Sequence, residues 1–270
     1  MASAVLFIFG LVVGSFLNVC IDRIPRGESL LYPPSHCDAC GHALARRDLV
    51  PVLSYLWLGG RCRYCRAPVS WRLPAVEIAT GTLFAGMGMF VGLGPRLAPA
   101  VFYGSLFLVI LVVDLEKQII PNRLIYPALP VVWLLSVLWA PSEAARNTLG
   151  LFQIMSQGGD TTLALAQSLA GGLVAFLVMM VPWLLYPEGM GAGDVKLAAL
   201  VGLATGFPLS FLALLLSFLS GGLVGGLLLL SGAKGRKDPI PFGPFLAVAG
   251  MAALLWGDPL AAWYWHSLRL

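Results

Sequence analysis

The sequence predicts an all-α polytopic membrane protein of about eight transmembrane helices, interrupted once by a small polar loop domain. Two compositional facts and one local contrast predict it. Hydrophobic residues make up 59% of the 270 positions and charged residues only 11%, far from the balance of a soluble chain. Apolar stretches of bilayer-crossing length recur along the sequence. Only one long stretch, 22–72, departs from this pattern, being rich in Arg, Pro, Gly and Cys.

The apolar segments lie near 3–21, 74–93, 98–115, 122–140, 163–186, 194–206, 208–231 and 244–258. The first has no basic lead and no clean small-residue cleavage site, so it reads as a retained span rather than a secretory signal. The sixth and eighth are short for a full crossing of about 20 residues. The expected organisation is therefore a first span over 1–21, a cytoplasmic loop domain over 22–72 and a membrane domain over 73–270. There is no low-complexity tract, and no repeat is evident.

Basic residues set the orientation. With 22–72 in the cytoplasm and each segment crossing once, fourteen of the 17 Lys and Arg residues lie inside. Only Arg96, Arg146 and Arg269 remain outside. This places the connections near 114–123, 187–194 and 232–243 in the cytoplasm and both termini outside. The 141–162 stretch becomes an external connection along the membrane surface. The formal net charge of +4 is small, and no nucleic-acid partner is expected; the lipid bilayer is the main surrounding.

Within the polar stretch, Cys37 and Cys40 form one C-x-x-C and Cys62 and Cys65 another, with 21 residues between the pairs. Four thiolates at this spacing converge on a tetrahedral Zn²⁺ from two tight turns, helped by Gly41 and the Gly59-Gly60 pair. His36 or His42 is an alternative ligand, and a redox pair is an alternative role, although a cytoplasmic setting disfavours permanent disulfides. Any zinc here is structural, because a loop of about 50 residues with few aliphatics builds little core and a closed four-thiolate site leaves no open position. Cys20, inside the first apolar segment, reads as a small packing residue.

Glu77, Asp114 and Asp194 are the acids at or inside apolar segments, where an ionisable group carries a functional hypothesis. Each has a plainer reading: a hydrogen bond to a neighbouring helix or an interfacial Arg for Glu77, a membrane boundary for Asp114, a helix N-cap for Asp194. Geometry favours more for the two aspartates. Both fall at cytoplasmic ends of segments, hence at one depth. Pro121 stops the helix just beyond Asp114, and Gly189, Gly191 and Gly193 allow backbone to approach closely before Asp194. Two neighbouring carboxylates tend to share a proton, so one activates water while the other donates to a scissile carbonyl. Lys196 either orients this site or snorkels to headgroups. A proton-coupled transporter and a non-catalytic zinc-containing assembly scaffold are the rival classes. A transporter would place paired acids nearer mid-membrane, and a scaffold needs neither aspartate.

These residues together resemble the bifunctional type IV prepilin peptidases, intramembrane aspartic proteases of the G-x-G-D type. "GLVVGSFLNVCIDRIPRGESL" resembles the opening segment of that family, and the cysteine pairs with "VPVLSYLWLGGRCRYCRAPVSWRLPAVE" resemble its cytoplasmic domain. "VDLEKQIIPN" and "GMGAGDVKL" resemble its two aspartate motifs, and "PIPFGPFLAVAG" its closing segment. One departure is Asp38 after the first paired cysteine, where family members often have proline. The resemblance implies that Asp114 and Asp194 carry out peptide hydrolysis at the cytoplasmic face of the inner membrane. It implies as substrates the precursors of type IV pilins and of type II secretion pseudopilins, cut after a short basic leader. It also implies methylation of the new N-terminus with S-adenosylmethionine as donor, for which no contact residue is nameable from the sequence.

Overall fold

The computed structural model of the chain describes residues 1–139, 160–186, 189–235 and 238–268. Most of the 141–162 stretch lies outside them, and 160–162 already belong to a helix. The described residues form helices joined by turns, with no strand among them and only two isolated bridges, His36 with Ala43 and Arg61 with Pro68. By compactness the chain divides into Met1–Val109 and Ile110–Leu270.

In the first unit, α1 (Ala2–Arg26) and α3 (Arg72–Val91) pack along each other. They do so with backbones nearly touching, because Gly10 and Gly14 present no side chain: a Cβ on Gly10 would meet Gly81 Cα at 2.7 Å, and one on Gly14 would meet Glu77 Cα at 2.7 Å. This is the small-residue packing of lipid-embedded helices, where close van der Waals contact replaces the hydrophobic effect. Val5, Ile8, Phe9, Val12 and Phe16 remain exposed on α1, as a lipid-facing surface requires. Between these helices runs the polar segment, which contains a 3-10 turn (Arg46–Leu49) and the short α2 (Leu53–Trp57). A composition change marks where chain leaves the membrane; packing marks what folds together. The 74–93 segment therefore goes with α1, the cysteine segment and the chain up to Val109 rather than with Ile110–Leu270.

The helix α4 (Leu97–Lys117) continues into the second unit, followed by α5 (Asn122–Leu135), α6 (Asp160–Leu185), α7 (Ala192–Thr205), α8 (Leu209–Leu230) and α9 (Gly243–Leu268). Against the expected short eighth segment, the helix α9 runs ten residues beyond 258. Five described helices are long and apolar enough to cross a membrane: Ala2–Arg26, Arg72–Val91, Leu97–Lys117, Thr161–Leu185 and Leu209–Leu230. They mark a multi-pass membrane protein. The shortness of α7 has a packing reason. It contacts α5, α6, α8 and α9, and nine of its residues, Val195, Leu197, Ala198 and Leu200 to Thr205, are buried. A helix apolar on all sides and enclosed by neighbours is a core element, not a lipid-facing one.

Candidate active site and candidate metal centre

Asp194 stands in the first turn of α7, two residues after its start at Ala192, with Gly191 as the N-cap. It is therefore not the cap itself. Its carboxylate reaches back to Gly191 and lies within electrostatic reach of Asp114. Asp114 lies in the last turn of α4 and is only 4% exposed, so it is no mere boundary marker. Gln118, with φ 53°, turns the chain out of α4, and Pro121 then caps α5. The two acids approach because Gly193 has no side chain: a Cβ there would stand 3.0 Å from Ile120 Cβ. That glycine thus seats the connection after α4 rather than leaving open room for a peptide.

A third element enters this site from far along the chain. The Gly243 amide donates to Asp114 Oδ2 at 3.0 Å, and Gly243 is the first residue of α9. A backbone amide left without an intrahelical partner at a helix N-terminus favours an anionic group. Gly243 has no tolerance for a side chain, since a Cβ would meet Asp114 Oδ2 at 2.6 Å and Cγ at 3.1 Å. Sequence reasoning missed this residue; the available signal was Gly-Pro opening an apolar run. Lys196 forms no salt bridge with the aspartates: its Nζ donates to Asn122 Oδ1 at 2.9 Å and lies 5.4 Å from the Tyr126 ring centre, joining α7 to α5.

In the first unit the four cysteines gather. The Sγ atoms of Cys37, Cys40, Cys62 and Cys65 all lie within 4.8 Å of one another, with Cys37 and Cys65 at 3.8 Å. Tetrahedral zinc with Zn–S near ~2.3 Å places its sulfurs about 3.8 Å apart, so these residues fit the ion. Two like turns present them. Cys37 N–H donates to His42 O, Gly41 N–H to Cys37 O and Leu44 N–H to Ser35 O; Cys62 N–H donates to Ala67 O, Arg66 N–H to Cys62 O and Val69 N–H to Gly60 O. Each partner recurs at an offset of 25 residues, a repeat of backbone geometry with little sequence trace. The left-handed position after the second cysteine is Gly41 in the first turn, φ 69°, and Arg66 in the second, φ 62°.

The amides of Cys65 and Tyr64 favour the Cys62 thiolate and bring its pKa down to about 7. At Cys65 the Ala67 amide favours the thiolate, but burial and hydrogen bonds shared with Cys40, Cys62 and Cys37 win and push it up to about 11. Four adjacent sulfurs cannot all carry charge without a cation among them. The histidines are engaged elsewhere: the His36 ring pairs with Pro34 O at 3.0 Å, and the His42 ring stacks on Tyr64 at 3.7 Å between centres. Asp48 ties the two turns together, accepting from Arg63 Nε at 2.6 Å, Tyr64 Oη at 3.2 Å and Ala45 N–H at 3.2 Å. Burial works against its charge, but these donors hold its carboxyl below the usual range. Cys20 is buried in α1, apart from the cluster. Glu77 accepts from the Ser15 hydroxyl of α1, the neighbouring-helix partner expected, and also from the loop amide of Val52 at 2.7 Å.

Comparison with known proteins agrees with this layout. Residues 8–91 match a bacterial peptidase A24 N-terminal domain, and residues 100–226 match the type IV leader peptidase family. A protein of Aeromonas hydrophila is 35% identical, over 97% of this chain and 93% of its own length. The chain belongs to the type IV leader peptidase family. A Bacillus subtilis member is 32% identical over 97% of both chains, and one from Pseudomonas aeruginosa is 32% identical over 95% of this chain and 91% of its own. All three carry the name prepilin leader peptidase/N-methyltransferase. No solved structure gives a significant match. Within this family member the N-terminal match contains the four cysteines and the second match contains Asp114 and Asp194; Gly243 lies beyond it.

Proposed function

We propose that this chain removes the leader of type IV prepilins by aspartic-protease chemistry at Asp114 and Asp194, and then methylates the new N-terminus. The observation that carries the peptidase half is the pair of acids from α4 and α7 within electrostatic reach, one of them oriented by the Gly243 amide. One carboxylate takes a proton from water as its oxygen attacks the scissile carbonyl, while the other, protonated, donates to the carbonyl oxygen. Collapse returns a proton to the amide nitrogen and breaks the C–N bond. A proton relay or a scaffold is not favoured, because the named relatives are processing enzymes.

Pseudopilins of type II secretion belong to the same substrate class, since the leader and its apolar neighbour are what such a site meets. Zinc, held by Cys37, Cys40, Cys62 and Cys65, would join the two turns of the loop. S-adenosylmethionine would supply an electrophilic methyl group. We place eight crossings in the bacterial inner membrane, with the 22–72 domain, the aspartates and hence the basic leader on the cytoplasmic side. The 73–270 region would then serve hydrolysis, and 22–72 with its bordering helices would serve methyl transfer.

The direct test incubates detergent-purified protein with a prepilin N-terminal segment, with and without S-adenosylmethionine, and reads product masses. Cleaved peptide in both samples, heavier by one methyl group only with the donor, is expected; an uncut precursor refutes the peptidase reading. Orientation is tested separately. Cysteine probes placed near Gly27, Lys117 and Lys234 in a cysteine-free background should react only from the cytoplasmic side, and a probe at Gly94 only from outside. Labelling near Lys234 from outside means that one of the short late helices does not cross.

A further inference from the structure

The first unit holds a cavity of about 770 Å³, within the ~300–1,000 Å³ range of small-molecule sites, between α1, α3 and the cysteine lobe. Its α1 wall is polar, although α1 is otherwise an apolar span. Ser15, Asn18 and Asp22 recur at spacings of three and four, so they form one stripe of the helix facing the cavity. Such groups within a membrane span are costly unless they serve a site.

Two of the lining groups are acceptors that the fold itself does not fully explain. Asn18 is 4% exposed; its Nδ2 donates to Leu73 O at 3.0 Å, yet its buried Oδ1 has no partner. A buried acceptor without a donor is destabilising and calls for one. Glu77 is 7% exposed and accepts from Val52 N–H at 2.7 Å and from the Ser15 hydroxyl. Val52 delivers that amide with φ 60°, a left-handed backbone that a β-branched residue adopts only where its surroundings impose it. Accepting from a loop amide and a hydroxyl requires only a neutral oxygen. A carboxylate held this tightly, beside an orphaned amide oxygen, suits a cationic N–H donor.

We propose that this cavity is the methyl-transfer site, in which Glu77 and Asn18 Oδ1 hold the N-terminal amine released by cleavage and S-adenosylmethionine occupies the space beside them. This rests on the N-methyltransferase reading above. The amine arrives as an ammonium, a donor matched to both oxygens. Glu77 takes one proton from it and later returns that proton to water. The freed lone pair on nitrogen bonds to the methyl carbon of the sulfonium, and the carbon–sulfur bond breaks with its electron pair staying on sulfur. The products are a methylated ammonium and a neutral thioether, so charge and atoms balance.

The test uses full-length protein, a pre-cleaved pilin peptide and, as a control for folding, cleavage of intact precursor. Glu77→Gln keeps the shape and the acceptor for Val52 but removes the base; methylation kcat/KM should fall about 100-fold or more while precursor cleavage and the Kd for S-adenosylmethionine stay within about threefold. Val19 lines the same cavity and takes no part in the hydrogen bonds of Asn18 or Glu77, so Val19→Trp adds bulk there while keeping both acceptors. It should weaken donor binding, measured by calorimetry, at least about tenfold with cleavage retained. Methylation by Glu77→Gln within about threefold of wild type, or unchanged donor binding by a cleavage-competent Val19→Trp, overturns the assignment. A wild-type protein that cuts precursor yet binds no donor and adds no methyl group instead overturns the methyltransferase reading on which the assignment rests.

Discussion

Asp114→Asn and Asp194→Asn should each give an inserted, folded protein whose cleavage of prepilin falls by roughly four orders of magnitude or more. Asparagine keeps the size of the side chain and a carbonyl that can still accept the Gly243 amide, while removing the proton on which the chemistry depends. Because the two acids act as one unit, the double variant should lose little beyond either single change, since effects within such a unit are far from additive. Gly243→Ala probes the same unit from α9: its methyl group would displace Asp114, so cleavage should drop although neither carboxylate has been altered. Methylation of a pre-cleaved peptide should survive all of these changes. Substantial cleavage by either single asparagine variant returns Asp194 to a structural place in the first turn of α7.

Removal of zinc has the second large effect. The wild-type protein should purify with roughly one zinc per chain, and Cys37→Ser or Cys62→Ser with a small fraction of that, because three thiolates leave the tetrahedron open. Without the ion, what joins the two cysteine turns is Asp48 with its donors and the His42–Tyr64 stack, so protease should cut the 22–72 loop far faster. A strong chelator should reproduce the same digestion pattern in the wild type. Since the lobe forms one wall of the cavity beside Glu77, methylation of a pre-cleaved peptide should fall with it. Full protection of the loop in metal-free protein refutes a structural ion.

Much of this was readable in one dimension because the relevant physics is local or periodic. A lipid solvent demands continuous apolar helices, so eight segments were visible as composition, and their starts and stops came within a few residues for most. The last was the exception: α9 continues past Pro259 to Leu268, beyond the end of its apolar run. Paired cysteines declare themselves by spacing, and acids stand out against an apolar background. The same reasoning could not separate the first unit from the second. The boundary at Val109 and Ile110 falls inside the continuous apolar helix α4, where composition does not change.

The sequence by itself determined the membrane class, the positions of Asp114 and Asp194 near helix ends, and the four thiols, because each is a property of residue type and spacing. Only the tertiary structure decided what these groups touch. The Gly243 amide reaches Asp114 across 129 positions, Gly193 makes room for Ile120, and Asn18 and Glu77 from separate helices face one cavity with Val52 strained to serve one of them. Such partners depend on how closely backbones approach in three dimensions. A missing side chain in one helix and an unpaired oxygen in another have meaning only once packing has brought them together.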